Sequence, residues 1–593
     1  MTFCVAALII EVSLAEGVMQ KRWQYLAIEF LAHGVVAAII CVAPNYLAPY
    51  FSAARVCKAL IYALCLFAFL VGQIAGFFGA KKSFQPSRPS VFYGACALHL
   101  AAATFLGKYL SAGVAILYTA LFSSGVMLAC CGIMAAILFG VPLFMMGKAS
   151  PYLKASPYLF YIEKGENGNS FSAFHSGGEE DPSSQKENAP KAFGAWHVLV
   201  GGAGIAVGAA GSILLANKTP ASLLMGAAVT AFLLYAIPLL LQGAHKLRQC
   251  VAFVLVFVCM AGSSSIPYCF INDEFLVKEY HSPHGYYKVE ERSGETTLSR
   301  FAIEGATLKR KKGAQISASY TSRALAAYFM AEGITSVATQ GGDFTAQGAD
   351  FTQGINALCL GVGVGSFAAE SAQIGATVTL VEKDKRALTL VKKHFGLPQT
   401  VTAVAGDGRA HLAKTSALYD VIFVDEYQSL ALPQGVTGKE FFRLCAQKIT
   451  QNGVVCLFLP QAESRYTNGV IAALCTAFPA VYTAKEGEGV LVFGGNVGLA
   501  ERLYGALWQA EEGGTLSFCG AAVNDAIADA VLTALWNVYG LLTPASSEGK
   551  PFTDADARSL ALEYARMEEM VAPAYKAYRK KLKANGFWNL FSE

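Results

Sequence analysis

Four short apolar runs between residues 357 and 426 constrain the fold of this chain more than any other feature. Each run is partly β-branched and stops at a glycine or an acidic residue, as buried parallel strands do where their carboxyl ends open into a ligand site. These ends carry, in chain order, Gly361, Gly363 and Gly365, then Glu382, Asp407 and Asp425. The pattern predicts a doubly wound α/β sheet with a nucleoside-binding crevice along one edge.

The glycines of the first turn do not follow the dinucleotide-binding fingerprint. That fingerprint is G-x-G-x-x-G/A, whereas here every second residue from Gly361 to Gly365 is glycine, and Ser366 follows. An acidic residue at the end of the next strand, here Glu382, is also common where a protein holds the ribose of a ligand of the S-adenosylmethionine type. The sequence therefore favours such a ligand over NAD(P). Taken one at a time, these glycines are equally compatible with a plain turn, and the acidic residues with solvated loop positions.

Polarity divides the chain into two halves near Tyr268. Of the 593 residues, 54% are hydrophobic and 15% are charged; the long apolar runs come before Tyr268 and most acidic residues after it. This distribution predicts a multi-pass membrane domain over residues 1–271, followed by a soluble half. The formal charge of +4 is slight for this length, so the sequence does not indicate nucleic-acid binding. The 15 cysteines form no C-x-x-C pair, and no metal site is predicted.

The membrane domain contains about seven to nine candidate spans of roughly 20 apolar residues each. The clear candidates are Tyr25–Val42, Ala59–Phe78, Val91–Leu106, His197–Ala216, Ala221–Leu241 and Val251–Ile266. The run Leu110–Met146 is longer than one span needs. It predicts either two helices with a tight turn near Cys131–Gly132 or one long tilted helix, and this choice leaves the number of spans open.

Loop charges bear on the orientation of the spans. The positive-inside rule favours a cytoplasmic side for Lys21–Arg22 and for the loops 81–88 and 245–248. If the run Leu110–Met146 forms one helix, all three basic segments can lie on the cytoplasmic side, but the soluble half then lies outside the cytoplasm. If the run forms two helices, the soluble half lies in the cytoplasm, but the loop 245–248 does not. Because S-adenosyl donors are made in the cytosol, we expect a cell-membrane protein whose C-terminal domain is cytoplasmic.

Two ionisable residues lie within predicted spans. Glu29 and His99 are functional candidates, with mutual pairing or a position near an interface as the alternative. The glycine-rich segment 200–212 predicts close helix packing. The polar loop 150–195 predicts a mobile connection.

The soluble half is predicted to contain three parts. Residues 272–350 form a small β unit with a connecting helix and lid, residues 351–515 the nucleotide-binding α/β domain, and residues 516–593 a C-terminal helical extension. The expected elements of the first part are strands Tyr286–Glu291 and Thr296–Ile303, a Ser293–Gly294 turn, a helix Gln315–Met330 and a loop Thr335–Gly354.

The α/β domain is expected to alternate helices and strands. The predicted elements are helices Ser366–Ile374 and Lys385–Phe395, a capping box from Thr437 to Glu440 that opens a helix through Lys448, strand Val454–Leu459, and a closing hairpin of Val481–Lys485 and Gly489–Phe493. From Ala521 onward the pattern predicts helices, with a basic solvated face at Lys576–Lys583.

These motifs together resemble the spermidine synthase (polyamine aminopropyltransferase) family, in its bacterial form fused behind a membrane region. The resemblance rests on GVGVG, VEKD, GDGR, YDVIFVD and KEFFRLCAQKITQNGVVCLFLP, in that order, and on YHSPHGYYKVEE upstream. A fainter likeness extends to GKPFTDADA. The resemblance covers about half of the chain.

The resemblance implies a role for each matching residue. Asp425 would be the catalytic general base, and Glu382 would accept hydrogen bonds from the ribose. Asp407 and Gly408 would lie at the adenine, and Gly361, Gly363 and Gly365 under the methionine-derived tail. The implied substrate-binding residues are Tyr286, Tyr320, Glu426 and Gln428.

Two positions depart from the family pattern. Val364 stands where the family has an aspartate that helps hold the amine of the aminopropyl donor. Gln428 stands where the fourth-strand motif has a second aspartate, and Glu426 is the candidate to supply the lost charge. A diamine needs carboxylates at both ends of its channel, so these changes weaken the case for a simple diamine acceptor.

Three functions follow as hypotheses. The first is a membrane-bound transferase that moves an aminopropyl group from decarboxylated S-adenosylmethionine to a small amine in polyamine biosynthesis. The second is an S-adenosylmethionine-dependent methyltransferase acting on a membrane-delivered substrate. The third is a membrane transporter or sensor whose soluble domain binds a polyamine or nucleoside without turnover. Each implies a lipid bilayer as partner, no metal and no nucleic acid, and leaves homo-oligomer formation open.

Overall fold

The computed structural model describes residues that fall into two compact units. One unit is drawn from residues 1–272 with 280–286, and the other from residues 273–279 with 287–585. The described stretches are 18–51, 55–82, 88–121, 124–155, 191–215, 220–241, 276–282, 284–299, 307–311, 320–331, 355–427, 432–518, 521–546 and 549–556, with isolated positions between 251 and 258. The predicted lid, most of the loop 150–195, Gln428 and the basic run 576–583 lie outside the described residues.

The first unit is helical throughout its described stretches 18–241. Its helices are α1 Val18–Phe51, α2 Arg55–Lys82, α3 Arg88–Leu121, α4 Ser124–Ala135, a π-helical turn Ala136–Gly140, α5 Val141–Ala155, α6 Lys191–Leu214 and α7 Pro220–Leu241. Four apolar stretches among the described residues are long enough to cross a membrane: Leu26–Phe51, Val56–Gly79, Val91–Ala115 and Val126–Pro151. For the run Leu110–Met146, the alternative with a turn at Cys131–Gly132 is wrong, because both residues lie inside α4. The alternative of one long helix is wrong as well, since α3 ends at Leu121 and α4 begins at Ser124. The total of seven to nine spans stays a prediction.

Close packing of the glycine-rich helix is confirmed. A methyl group on Gly204 of α6 would come within 2.3 Å of the Phe30 carbonyl oxygen of α1, and one on Gly208 within 2.4 Å of the Gly34 carbonyl oxygen.

Of the two ionisable residues predicted within spans, Glu29 is buried, and Nε2 of His99 lies 2.8 Å from the carbonyl oxygen of Ile137 in the π-helical turn. Their functional roles stay predictions.

A four-stranded sheet precedes the nucleotide-binding region. Its order is β1 Leu276–Ser282, β2 Gly285–Arg292, β3 Glu295–Ser299 and β4 Thr307–Lys311. Strands β2 and β3 are antiparallel around Ser293 and Gly294, whose φ angles of 51° and 77° fit a two-residue hairpin turn. The expected hairpin is confirmed, and β1 and β4 extend it.

The main sheet has eight strands and a Rossmann-like, methyltransferase-type topology. Its order is β14-β10-β11-β9-β8-β5-β6-β7. The strands are β5 Asn356–Leu360, β6 Thr377–Glu382, β7 Thr402–Ala405, β8 Tyr419–Val424, β9 Ile449–Leu459, β10 Ala480–Glu486, β11 Gly489–Gly495 and β14 Leu542–Pro544. Strands β5 to β9 are parallel neighbours, and β11, β10 and β14 continue the sheet in antiparallel fashion. The strand order reverses between β5 and β8, so the crevice at their carboxyl ends is the expected ligand site.

Helices cover the main sheet, and a two-stranded ribbon lies beyond it. The helices are α8 Tyr320–Ala324, α9 Ala326–Ala331, α10 Ser366–Gln373, α11 Lys385–His394, α12 Gly408–Lys414, α13 Lys439–Ala446, α14 Arg465–Cys475, α15 Leu499–Gly513 and α16 Asp525–Leu541. The ribbon pairs β12 Ser517–Phe518 with β13 Ala521–Ala522. The purely helical expectation from Ala521 onward is therefore wrong at β13 and at the edge strand β14.

The predicted capping box is also wrong. The N-cap of α13 is Gly438, and the Thr437 hydroxyl donates to the carbonyl oxygen of Gln434 instead. The Glu440 carboxylate accepts a hydrogen bond from the backbone N–H of Asp554, at 3.0 Å. Glu440 thus binds a segment 114 residues away instead of the backbone at the start of its own helix.

Candidate active site

Strand β5 ends in a turn that only glycine can form. Gly361 has a φ of 94°, in the left-handed region, and a methyl group there would lie 2.3 Å from the carbonyl oxygen of Asp425. The Asp425 N–H in turn donates to the carbonyl oxygen of Leu360, at 2.7 Å. The ends of β5 and β8 therefore meet in backbone contact, and Gly365, with a φ of 76°, then caps the N-terminus of α10.

Glu382 is held at the end of β6 by two backbone groups. Its Oε1 accepts from the N–H of Asp384 at 2.7 Å, and its Oε2 accepts from the N–H of Val362 at 3.1 Å. The second bond ties the carboxylate to the glycine turn. Each carboxylate oxygen can accept more than one hydrogen bond, so this geometry suits acceptance from the two hydroxyls of a ribose.

Asp384 supports the same strand end, although the sequence analysis assigned it no role. It is buried and caps α11 by accepting from the N–H of Arg386 at 2.8 Å. Its other oxygen accepts from the hydroxyl of Tyr287 at 2.7 Å. The signal in the sequence was an aspartate directly before a helix, which is a common N-cap.

Asp407 caps α12 beside the end of β7. It accepts a hydrogen bond from the N–H of Ala410 at 3.0 Å and lies 3.2 Å from the ammonium of Lys383. Burial alone would raise the pKa of Asp407, but the hydrogen bonds from Ala410 and Lys383 and the nearby positive charges lower it overall. This carboxylate stays ionised near neutral pH and remains a hydrogen-bond acceptor at the crevice.

Asp425 directly follows β8, at the carboxyl end of the strand. It is 9% exposed, and its Oδ1 accepts a hydrogen bond from the Tyr320 hydroxyl at 3.2 Å. The Tyr320 ring stacks on Phe458, with centroids 4.3 Å apart and planes 16° apart. Burial, followed by the charge of Asp425, raises the pKa of Tyr320, so its hydroxyl remains a proton donor to the carboxylate. The two predicted residues therefore meet across 105 positions of sequence.

The other predicted substrate residues have different surroundings. Glu426 is partly buried, and its Oε2 lies 3.1 Å from the position that a methyl group on Gly408 would occupy. Tyr286 is buried at the start of β2, in the segment that belongs to the helical unit, with its ring 5.3 Å from that of His281. Gln428 lies outside the described residues. The substrate roles of these three residues stay predictions.

A C-terminal segment binds Arg409 of α12 and Gln434. Two nitrogens of Arg409 bind the carboxylate of Asp554, at 2.7 and 2.6 Å, and Gln434 donates to the carbonyl oxygens of Asp554 and Asp556. The pairing with Asp554 raises the pKa of Arg409. The GDGR and GKPFTDADA motifs, 145 residues apart, are thus in direct contact, which local sequence reasoning did not predict.

The described residues contain no group of three or more His, Cys, Asp or Glu side chains that could hold a metal ion. The arrangement at the strand ends is one of carboxylates, a tyrosine hydroxyl and a glycine turn. Such a set can bind a nucleoside through its hydroxyls and accept a proton from a nearby amine.

Comparison with known proteins finds similarity in the region around this site. Residues 351–483 match the family model of the spermine/spermidine synthase domain. A protein from Bifidobacterium longum, described as a probable polyamine aminopropyl transferase, is 28% identical over 215 residues, which is 35% of this chain and 43% of that protein. The chain thus matches less than half the length of this curated relative.

Parts of the chain are also similar to solved structures of other proteins. A probable spermidine synthase from Corynebacterium glutamicum is 18% identical, with 40% of this chain and 94% of that chain covered, at a TM-score of 0.31. Human methyltransferase-like protein 13, in complex with SAH, is 19% identical, with 33% and 86% covered, at a TM-score of 0.23.

Proposed function

We propose that this chain, which carries a domain of the spermine/spermidine synthase family over residues 351–483, transfers an aminopropyl group from decarboxylated S-adenosylmethionine to an amine. The observation that carries the proposal is the pair formed by Asp425 and Tyr320, at the point where the strand order of the sheet reverses. A carboxylate there lies next to the glycine turn that would cradle the sulfonium side of the aminopropyl donor.

The reaction needs a proton acceptor more than it needs an activated leaving group. The amine nitrogen attacks the methylene carbon bonded to the sulfonium, a C–N bond forms, and the C–S bond breaks with its electron pair left on sulfur. The products are the aminopropylated amine and 5′-methylthioadenosine. An alkylammonium has a pKa of about 10, so it must lose a proton before it can attack, and Asp425 would accept that proton.

The aminopropyl donor would be held by groups around the crevice. Glu382 would accept the ribose hydroxyls, and Asp407 would lie near the adenine amino group. The backbone from Gly361 to Gly365 would pass under the aminopropyl tail. Much of the rate acceleration would then come from positioning, since the sulfonium is already a good leaving group.

The helical unit supports attachment to a membrane. Phe67, Leu70, Ile74 and Phe78 of α2 are all more than half exposed and recur at helical spacing, as expected for a lipid-facing surface. Since S-adenosyl donors are made in the cytosol, we propose a multi-pass membrane protein whose transferase domain faces the cytoplasm.

Methyl transfer is the second candidate function. Val364 leaves the glycine turn without an acidic side chain, and a donor that keeps its carboxylate would meet less repulsion there. The two reactions differ in their nucleoside product, because methyl transfer yields S-adenosylhomocysteine and aminopropyl transfer yields 5′-methylthioadenosine.

The test is a product assay on the purified full chain in nanodiscs. The chain is incubated with decarboxylated or intact S-adenosylmethionine and a panel of diamines and monoamines, and nucleoside products are separated by chromatography. We expect 5′-methylthioadenosine, formed only from the decarboxylated donor and only when an amine is added. S-adenosylhomocysteine would establish methyl transfer instead, and binding without either product would favour a sensor or transporter.

Replacing Tyr320 with phenylalanine should lower the turnover about tenfold to a hundredfold. The variant keeps the ring that stacks on Phe458 but loses the hydroxyl that donates to Asp425. Because that hydrogen bond favours the ionised carboxylate, its loss should also move the acid limb of the pH–rate profile to higher pH. Steady-state rates measured across the pH range check both effects.

Tyr427→Phe is the matched control for this experiment. It also removes one tyrosine hydroxyl, but that hydroxyl donates to the carbonyl oxygen of Phe458 rather than to Asp425. We expect its acid limb to coincide with that of the unaltered chain. An equal shift in both variants would mean that Tyr320 supports the site only through packing.

A further inference from the structure

Glu370 is a buried carboxylate at the proposed active site to which the sequence analysis assigned no role. It lies in α10, five residues after Gly365, and is 3% exposed. One turn earlier, Phe367 stacks on Phe423 of β8, with ring centroids 4.0 Å apart. This face of α10 is therefore directed into the domain and not toward solvent.

The surroundings of Glu370 connect it to Asp425. Helix α10 packs against α8, the short helix that carries Tyr320. The pKa of Tyr320 is raised first by burial, then by the charges of Asp425 and Tyr427 and the hydrogen bond to Asp425, and also by the charge of Glu370. The buried Glu370 thus lies on a helix that packs against the helix of Tyr320, whose hydroxyl binds Asp425.

Two carboxylates buried in one domain suit a positive ligand, because a cation nearby favours the ionised form of each. Like charges repel strongly where water is excluded, and a cation between or beside them offsets both the repulsion and the cost of burial. From Gly361 to Gln373, the turn and helix beneath the proposed aminopropyl tail contain a single acidic side chain, that of Glu370. Val364, within the turn, is apolar and buried.

We propose that Glu370 receives the ammonium group of the aminopropyl donor and thereby selects the decarboxylated donor over intact S-adenosylmethionine. This inference rests on the proposed aminopropyl transfer. The decarboxylated tail ends in a cation alone, whereas the intact tail carries a carboxylate beside its ammonium. That extra carboxylate would meet the charges of Glu370 and Asp425, so the site would disfavour the wrong donor by repulsion as well as attract the right one.

The test compares three nucleosides on the purified full chain in nanodiscs by calorimetry. They are decarboxylated S-adenosylmethionine, intact S-adenosylmethionine and 5′-methylthioadenosine, which keeps the nucleoside but lacks the ammonium. For Glu370→Gln we expect the affinity for the decarboxylated donor to fall at least tenfold and the preference over the intact donor to be lost. The affinity for 5′-methylthioadenosine should stay within about twofold of that of the unaltered chain.

Two further variants complete the comparison. Glu370→Asp keeps the charge and should recover part of the affinity for the decarboxylated donor. Glu511→Gln removes an exposed negative charge from α15 and should change none of the three affinities. An equal loss of affinity for all three nucleosides in Glu370→Gln, or no loss at all, would overturn the inference.

The unaltered chain separates this inference from the proposed function. If it binds 5′-methylthioadenosine and prefers the decarboxylated donor while Glu370→Gln behaves identically, only the role of Glu370 fails. If the unaltered chain prefers the intact donor or binds none of the three nucleosides, the proposed aminopropyl transfer fails, and the role of Glu370 fails with it.

Discussion

Replacing Asp425 with asparagine is expected to lower the turnover of aminopropyl transfer about a thousandfold, in the range that loss of a general base produces. Asparagine has nearly the same shape and can still accept the hydrogen bond from Tyr320, but it cannot take a proton from the ammonium of the acceptor. Because Glu382 and the glycine turn are expected to hold the nucleoside, the affinity for 5′-methylthioadenosine should change little. Single-turnover rates and calorimetry on the full chain measure the two quantities separately.

Asp420 provides the matched control on the same strand. It lies near the start of β8, at the opposite end from Asp425, and its carboxylate accepts from the N–H of Asn356 at 2.9 Å and the hydroxyl of Thr450 at 2.8 Å. Asp420→Asn removes the same charge from the same strand and should retain most of the turnover. If Asp425→Asn turned over at a rate close to that of the Asp420 variant, Asp425 would not be the base.

Replacing Gly361 with alanine should cost several kcal/mol of stability and abolish nucleoside binding. The left-handed φ of 94° costs a residue with a side chain about 1–2 kcal/mol. The added methyl group would also lie 2.3 Å from the carbonyl oxygen of Asp425, so the ends of β5 and β8 would have to separate, at about 1–3 kcal/mol more. The midpoint of thermal unfolding and the affinity for 5′-methylthioadenosine are the measurements.

Gly375 separates the two costs of that substitution. It has a similar φ of 98°, but a methyl group there would have no heavy atom within 4 Å. Gly375→Ala should therefore show only the cost of the backbone conformation, with nucleoside affinity unchanged. Equal unfolding midpoints for the two variants would contradict the close approach of β5 and β8 at Gly361.

Much of the nucleotide-binding domain was predictable because its signals are local. A parallel strand buried on both faces must be apolar, and the next residues must turn and face the crevice, so glycines and acidic residues stand at regular places in the sequence. Glu382, Asp407 and Asp425 follow from this pattern as residues at the ends of strands. The hairpin around Ser293 and Gly294 follows from the same kind of local preference.

The errors came from positions where a distant segment competes with a local motif. The spacing of Thr437 and Glu440 satisfies a capping box, yet Glu440 binds the backbone of Asp554 and Thr437 bonds within its own turn. Residues Leu542–Pro544 form an edge strand because they pair with backbone groups of β10 that would otherwise lack a strand partner. No local sequence pattern predicts this pairing. One of the two arrangements predicted for the run Leu110–Met146 placed a turn at Cys131–Gly132, but an apolar run does not mark where a helix ends, and both residues lie inside α4.

The sequence by itself determined the order of strands and turns and the separation into an apolar and a polar half, and it predicted the kind of ligand for the strand ends. Only the tertiary structure decided which groups come together: the hydroxyl of Tyr320 with Asp425, Arg409 with Asp554, and the helix of Glu370 with the helix that carries Tyr320. The physical reason is that strand periodicity and turn chemistry act over a few residues, whereas these contacts join segments dozens to more than a hundred residues apart. These contacts depend on the packing of the whole domain, which cannot be inferred from composition and residue spacing.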